Sequence, residues 1–287
     1  MKVIFSRKGF DSSAGGVPSP IFPDGTLLSL PIPDSASVIR YQDLQWPQAP
    51  PSKLLRALTK GHISARQGAH LDPDLSHQTL KRSTGWRPVL GQHGAAQAHL
   101  RNQGVGRGDL FLFFGLFRAV KKSAGRYQWD TASPAHHRLW GWLQVGEILK
   151  PEASPCAIPA WLRYHPHCQS RSLLNNTLYL AADRLQLSKK EGGIPAAGLF
   201  PSAMEELQLT APNAPSPSHW QLLRWLLPGK SRTPLSYHHR ADRWQQEQSH
   251  CLLKAAARGQ EFVLQANEYP EAESWLEQLF ARCTDGN

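Results

Sequence analysis

The sequence predicts an α+β fold, with a mostly antiparallel, partly closed sheet and helices packed around it. Three observations lead there. Leu110-Phe111-Leu112-Phe113-Phe114-Gly115-Leu116-Phe117, behind Gly108-Asp109, is the clearest β run in the chain. After a basic, glycine-containing turn, Leu139-Trp140-Gly141-Trp142-Leu143-Gln144-Val145 supplies its natural antiparallel partner. Apolar β runs also open the chain (residues 2–6) and recur near its end (residues 261–265).

The elements follow in order. Residues 2–6 read as a buried strand, and residues 7–25, rich in Gly, Ser, Pro and Asp, as the polar loop that it delivers. Residues 26–33 and 37–41 favour short strands or edge segments, interrupted by Pro31, Pro33 and Asp34. After Pro50-Pro51, Ser52 is placed to cap a helix with Leu54, Leu55 and Leu58 on one face, ending by Gly61. A second helix is expected over residues 92–103, stopping near Gly104. Past the proline-rich join at 151–159 come a strand at 177–181, a loop at 211–218, and a helix capped by Ser218 that carries Trp220, Leu223, Trp225 and Leu226. A strand at 261–265 and a helix from Pro270 to about Cys283 close the chain. There is no internal repeat. Residues 1–287 are read as one composite domain, with a sub-boundary near 151–160.

Thirty-two Lys and Arg against 22 Asp and Glu give a formal charge of +10. Such an excess suits a polyanionic partner, nucleic acid or a nucleotide. The cations are dispersed, however, and a solvated face explains a dispersed excess equally well. No run of about 18 apolar residues is present, so a cytoplasmic protein without a membrane partner is expected. Cys156, Cys168, Cys251 and Cys283 form no CxxC pair and are read as free thiols.

The opening loop concentrates chemistry. Residues 6–21 hold two cations, an acid, several hydroxyls and three glycines directly after a strand. Glycines let backbone N–H groups approach an anion, which makes Ser6, Arg7, Lys8, Ser12, Gly15, Gly16 and Ser19 candidate phosphate contacts, with Asp11 as a candidate catalytic acid. A loop fastened by Asp11 and Ser12 to its own backbone is the structural alternative. Neither G-x-x-x-x-G-K-[ST] nor G-x-G-x-x-G spacing occurs.

With Ser-Arg-Lys-Gly-Phe-Asp-Ser-Ser, Gly-Gly-Val-Pro-Ser-Pro-Ile and Asp24-Gly25 through Ser29-Leu30-Pro31-Ile32-Pro33, the N-terminus resembles the nucleotide modification associated domain 3 family. Similar blocks are His70-Leu71-Asp72-Pro73-Asp74, Gly108-Asp109 with its aromatic strand, His165-Pro166-His167, Asn175-Asn176-Thr177-Leu178-Tyr179 and Arg258-Gly259-Gln260-Glu261-Phe262-Val263. The resemblance spans most of the chain. It implies association with base-modification systems and supplies context rather than a reaction.

His70-Leu71-Asp72 has the H-x-D spacing of a two-histidine, one-carboxylate triad, which leaves positions open on Fe(II). His165 or His167 could complete it. His70, Asp72 and His165 are the candidate metal set, and an Fe(II)/2-oxoglutarate oxygenase would suit base oxidation. Gly68 and Pro73 make the motif's setting a loop. His165-Pro166-His167 is also the best general acid or base candidate of the C-terminal half, against the alternative of a rigid turn bonded to backbone. The candidate catalytic residues are therefore Asp11, His70, Asp72, His165 and His167. G-x-S-x-G, H-E-x-x-H and the zinc-deaminase signature are absent.

The aromatic strand with Trp-Gly-Trp-Leu-Gln-Val-Gly-Glu-Ile resembles barrel segments of the PUA-like and EVE class of modified-base readers, which implies aromatic walls stacking a base. Alternating Phe111, Phe113 and Phe117 are more often core, and Trp140 and Trp142 are expected on one face. Arg258 and Gln260, before the last strand, are further candidate phosphate contacts, with a salt-bridged turn as the alternative. Three functions follow: a nucleotide- or base-modifying enzyme, a non-catalytic reader of modified nucleic acid, and a metal-dependent oxygenase.

Overall fold

The structure is a computed structural model that describes residues 1–153, 155–169, 173–187, 193–229, 232–256 and 261–284. The strands in the first half are β1 (Val3–Arg7), β2 (Ser19–Ile21), β3 (Ile32–Pro33), β4 (Ala69–His70), β5 (Val89–Gln92), β6 (Leu110–Ser123) and β7 (Arg126–Trp129). Those in the second are β8 (His136–Leu149), β9 (Thr177–Ala181), β10 (Ala197–Leu199), β11 (His219–Leu223), β12 (Trp244–Gln246), β13 (His250–Lys254) and β14 (Glu261–Leu264). The helices are α1 (Pro51–Leu58), α2 (Gly94–Asn102) and α3 (Glu271–Thr284).

The main sheet runs β14-β1-β6-β8-β9-β5, with β10 on β8 and both β2 and β7 on β6. It is mostly antiparallel but mixed, because β1 and β2 each pair parallel to β6. The fold is thus α+β. Among the described residues no ladder closes it into a barrel, since β14 and β5 end the path without pairing. A side chain joins those edges instead, where Gln92 Nε2 donates to Glu261 Oε1 at 2.6 Å. No helix among the described residues is long and apolar enough to cross a membrane. Cys156, Cys168 and Cys251 are free thiols.

Side chains alternate between the two faces of this sheet. On one, Val3, Phe5, Leu112 and Phe114 pack with Trp220, Phe262 and α3 residues such as Phe280. On the other, Ile4, Phe111, Phe113 and Phe117 pack with Leu90 and Tyr179. Phe111, Phe113 and Phe117 are fully buried, so they are core and not a stacking platform. The two tryptophans of β8 do not share a face. A register shift at Phe113/Phe114, opposite Gly141 and Leu139, inserts one extra residue and reverses the alternation. Trp140 therefore packs on Phe113, and Trp142 on Phe200 and Phe280.

Several expected elements differ. Residues 219–226 are β11 and one 3-10 turn rather than a helix: Trp220 and Leu222 alternate inward with period two, and β13 supplies the ladder. Pro51 begins α1 at a position where its missing N–H costs nothing, which leaves Ser52 inside the first turn without a cap bond. Gln92 belongs to β5, and α2 starts at Gly94 with His93 at the N-cap. Of residues 26–41 only Ile32–Pro33 forms a strand, pairing with β4.

That pairing delivers His70 to the interior, and a buried ion pair fixes the loop after it. Arg82 clamps Asp74 through two bonds of 2.6 Å, stacks over Trp86 at 4.2 Å and reaches Tyr164, whose hydroxyl also donates to Asp74. Asp74 bridges in turn to Val89 of β5. Arg82→Met would strand the Asp74 carboxylate in a site with no exposure, at a cost of about 3–5 kcal/mol. Urea unfolding of the variant against wild type measures that loss.

Candidate functional site

β1 aims its side chains by alternation. Ser6 and Lys8 emerge on one face of the sheet and Arg7 on the other. The Arg7 guanidinium accordingly lies over the Phe114 ring and donates to the Ala256 carbonyl. Ser6 donates to Glu261 Oε1 at 3.0 Å, and Lys8 Nζ lies 3.4 Å from Asp72 Oδ2.

Asp72 is the centre of a buried polar cluster. Its Oδ1 accepts from the Gly91 N–H at 2.5 Å, and His165 Nε2 stands 3.4 Å from the same oxygen without a well-aligned hydrogen bond. Its Oδ2 faces Lys8, His167 Nε2 at 3.9 Å and His70 Nε2 at 4.0 Å. Burial alone would raise the Asp72 pKa. The Lys8 ammonium, helped by the His165 ring, outweighs it and holds the carboxyl well below the usual range. For His167, burial dominates and lowers its pKa to about 3, against the pull of Asp72, so the ring is neutral.

Backbone geometry brings these groups together. Gly91 has no Cβ because one would lie 2.3 Å from the His167 ring. His165 caps the single turn of residues 166–168, accepting from the His167 N–H and turning both imidazoles inward. Asn176 then holds His167 Nδ1 at 2.8 Å, and Asp34 holds His70 Nδ1 at 2.8 Å.

A second carboxylate lies behind Lys8. Glu261 is buried, with Oε1 bonded to Ser6 and Gln92 and Oε2 without a hydrogen-bond partner. Burial raises its pKa to about 7 despite the nearby Lys8, with Asp72 adding to the rise. The two acids are thus pushed in opposite directions. Where ionisable groups could hold a metal, His70, Asp72 and His167 offer ligand atoms within 4.8 Å of one another.

A cleft of about 180 Å³ borders the cluster, lined in part by Leu28, Trp46, Gln48, Leu71, Asp72 and Trp140. Gln48 Oε1 and Trp140 Nε1 are buried atoms without hydrogen-bond partners.

Of the residues singled out in the sequence, Ser6, Lys8, His70, Asp72, His165 and His167 meet here. Asp11 accepts from the Ser13 and Ala14 N–H groups and the Ser13 hydroxyl, closing its own turn, with Ser12 exposed on it. Gly15 packs on the Phe10 ring, Gly16 is a left-handed turn residue, and Ser19 Oγ accepts from the Leu30 N–H. Arg258 and Gln260 lie outside the described residues. Sequence reasoning missed Asp34, Gly91, Gln92 and Asn176, and assigned Glu261 no catalytic part. Asn176 and Glu261 stand in the blocks that carry the family resemblance, which was the one available signal.

A family model for nucleotide modification associated domain 3 matches residues 2–265, and the chain belongs to that family. No curated protein and no solved structure matches it.

Two outcomes test the cluster. Gly91→Ala should displace His167 and cut activity or ligand binding at the site at least tenfold while leaving the far-ultraviolet circular dichroism spectrum unchanged. The second is a pH dependence. With a folded pKa near 7 against 4.5, Glu261 contributes stability that is fully present below about pH 4.5 and lost as pH rises through about 7. Relative to Glu261→Gln, wild type should lose about 3 kcal/mol across that window, read from urea unfolding at pH 4.5 and 8.

Proposed function

Starting from membership of the nucleotide modification associated family, we propose that the chain is an enzyme acting on a base, as a free nucleotide or in nucleic acid. The observation that carries this reading is the convergence of Lys8, Asp72, three histidines and Glu261 beside a small cleft. Carboxyl groups with pKa values forced apart divide the work of base and acid. Asp72 stays ionised and Glu261 holds a proton near neutrality. The Lys8 ammonium is placed to stabilise negative charge as it develops in a transition state.

The cleft supports a base as the bound group. A flat heterocycle with a donor and an acceptor on its edge would satisfy Gln48 Oε1 and Trp140 Nε1 together, against the apolar walls of Leu28, Trp46 and Leu71. At about 180 Å³ it falls below the range of drug-sized sites and suits one ring system, with the rest of a nucleotide outside. The positive charge of the chain favours a polyanionic partner, and the free thiols fit a reducing, cytoplasmic setting.

A second reading, a non-catalytic PUA- or EVE-like reader, draws on the same indoles, Trp46 and Trp140, which could hold a base without changing it. One experiment separates the two. The purified protein is incubated with a panel of nucleosides, nucleotides and single-stranded DNA, and binding and product formation are followed by calorimetry and mass spectrometry. An enzyme loses at least 100-fold in turnover in Asp72→Asn, while binding weakens about tenfold in Trp140→Phe and Gln48→Leu. Binding without turnover, unaffected by Asp72→Asn, would leave the reader.

A further inference from the structure

We infer that His70 Nε2, His167 Nε2 and Asp72 Oδ2 form a site for one divalent transition-metal ion. This rests on the enzymatic reading above and names its cofactor class.

Tautomers make the argument. His70 Nδ1 meets a carboxylate oxygen of Asp34, which accepts, so a proton sits on Nδ1, and it is Nε2 whose lone pair an ion would take. His167 Nδ1 meets Asn176 Oδ1, and the Asn176 amide is oriented by its own donation to the His167 carbonyl at 2.7 Å. His167 therefore also carries its proton on Nδ1 and turns an Nε2 lone pair to Asp72. Histidines that bind metals are held in this way, by an acceptor on the far nitrogen.

His165 is different. Its Nδ1 accepts from the His167 N–H, so its proton is on Nε2, the atom beside Asp72 Oδ1. It offers Asp72 a donor and a metal nothing. Of the two histidines that the sequence offers to complete the set of His70 and Asp72, the geometry thus favours His167 over His165. The two carboxylate oxygens divide accordingly: Oδ1 is held by Gly91 N–H beside His165, and Oδ2 faces both lone pairs.

The spacing suits a site that tightens on its ion. With bonds of about 2.0–2.2 Å, adjacent ligand atoms on an ion stand about 3.0–3.4 Å apart. The separations from Oδ2 are 3.9 and 4.0 Å, a closure within the reach of side-chain rotation. Lys8 Nζ, 3.4 Å from Oδ2, is the cation that the ion displaces, and its flexible stem allows the move. Two imidazoles and one carboxylate leave positions open for substrate or water, the donor set of Fe(II) and zinc centres.

The test is metal binding, read apart from activity. Chelator-stripped protein titrated with Fe(II) under anaerobic conditions, and separately with Zn(II), should take up about one ion per chain. His70→Gln and His167→Gln should each weaken uptake at least tenfold, and Asn176→Ala by 10- to 100-fold. His165→Gln, which keeps an N–H donor beside Asp72 Oδ1, should stay within about threefold of wild type. If a variant does not fold, Co(II) in the wild-type chain reports directly: two strongly shifted, exchangeable imidazole N–H proton resonances are expected. No stoichiometric uptake of either ion, equal loss in His165→Gln and His167→Gln, or fewer than two shifted resonances would overturn the assignment. Nucleoside binding is measured on the same stripped protein. Retained nucleoside binding without metal uptake defeats the metal alone, and metal uptake without any nucleoside binding defeats the functional reading alone.

Discussion

The ionised Asp72 carboxylate, with side-chain exposure of 2%, is the constraint on which the rest of the structure depends. Taking such a charge out of water costs several kcal/mol unless every lone pair is met. Two segments far apart in sequence meet it, the residue after β1 through the Lys8 ammonium and β5 through the Gly91 N–H, while the end of β4 and the turn at 165–167 bring His70, His165 and His167 around it. The surrounding architecture keeps them in place. Arg82 anchors the loop beyond Asp72, and Asn176, just before β9, fixes the 165–167 turn. A glycine at 91 is required because no side chain fits between β5 and His167.

Glu261 shows the opposite outcome of the same physics. It is equally buried, but Ser6 and Gln92 are neutral donors to a single oxygen, and Lys8 lies closer in effect to Asp72. Its proton is therefore retained to near neutrality. The bond from Gln92 also joins the two edge strands, so the junction of the sheet's edges and the protonation of this acid are tied to one contact.

What the sequence reveals and conceals follows from range. His70-Leu71-Asp72 and His165-Pro166-His167 are legible because their groups are two residues apart, and local spacing survives folding. Lys8 was legible as a cation in a loop, but separating it from Arg7 needs the phase of β1, which the sequence leaves open. The choice between His165 and His167 needs hydrogen-bond partners, one of them Asn176, nine residues on. Gln92 and Glu261 are 169 residues apart, and no pattern in either neighbourhood points to the other. Trp220 to Leu226 misled for another reason: Trp220, Leu223 and Leu226 fit a helical spacing as well as Trp220 and Leu222 fit a strand, and only pairing with β13 decides.

The make-up of the cluster argues against a merely structural role. One lysine beside Asp72, with the Gly91 N–H, would neutralise and orient a buried carboxylate, as Arg82 does for Asp74 nearby. The protein adds three imidazoles, two of them fastened at Nδ1 so that Nε2 faces a charge already paired. Lone pairs aimed at a carboxylate repel it and do not stabilise the fold. They fit a cluster in which something positive comes to stand between them, as the inferred metal ion would. The Asp74 pair, satisfied on all sides and stacked on Trp86, is what this protein builds when it needs only stability.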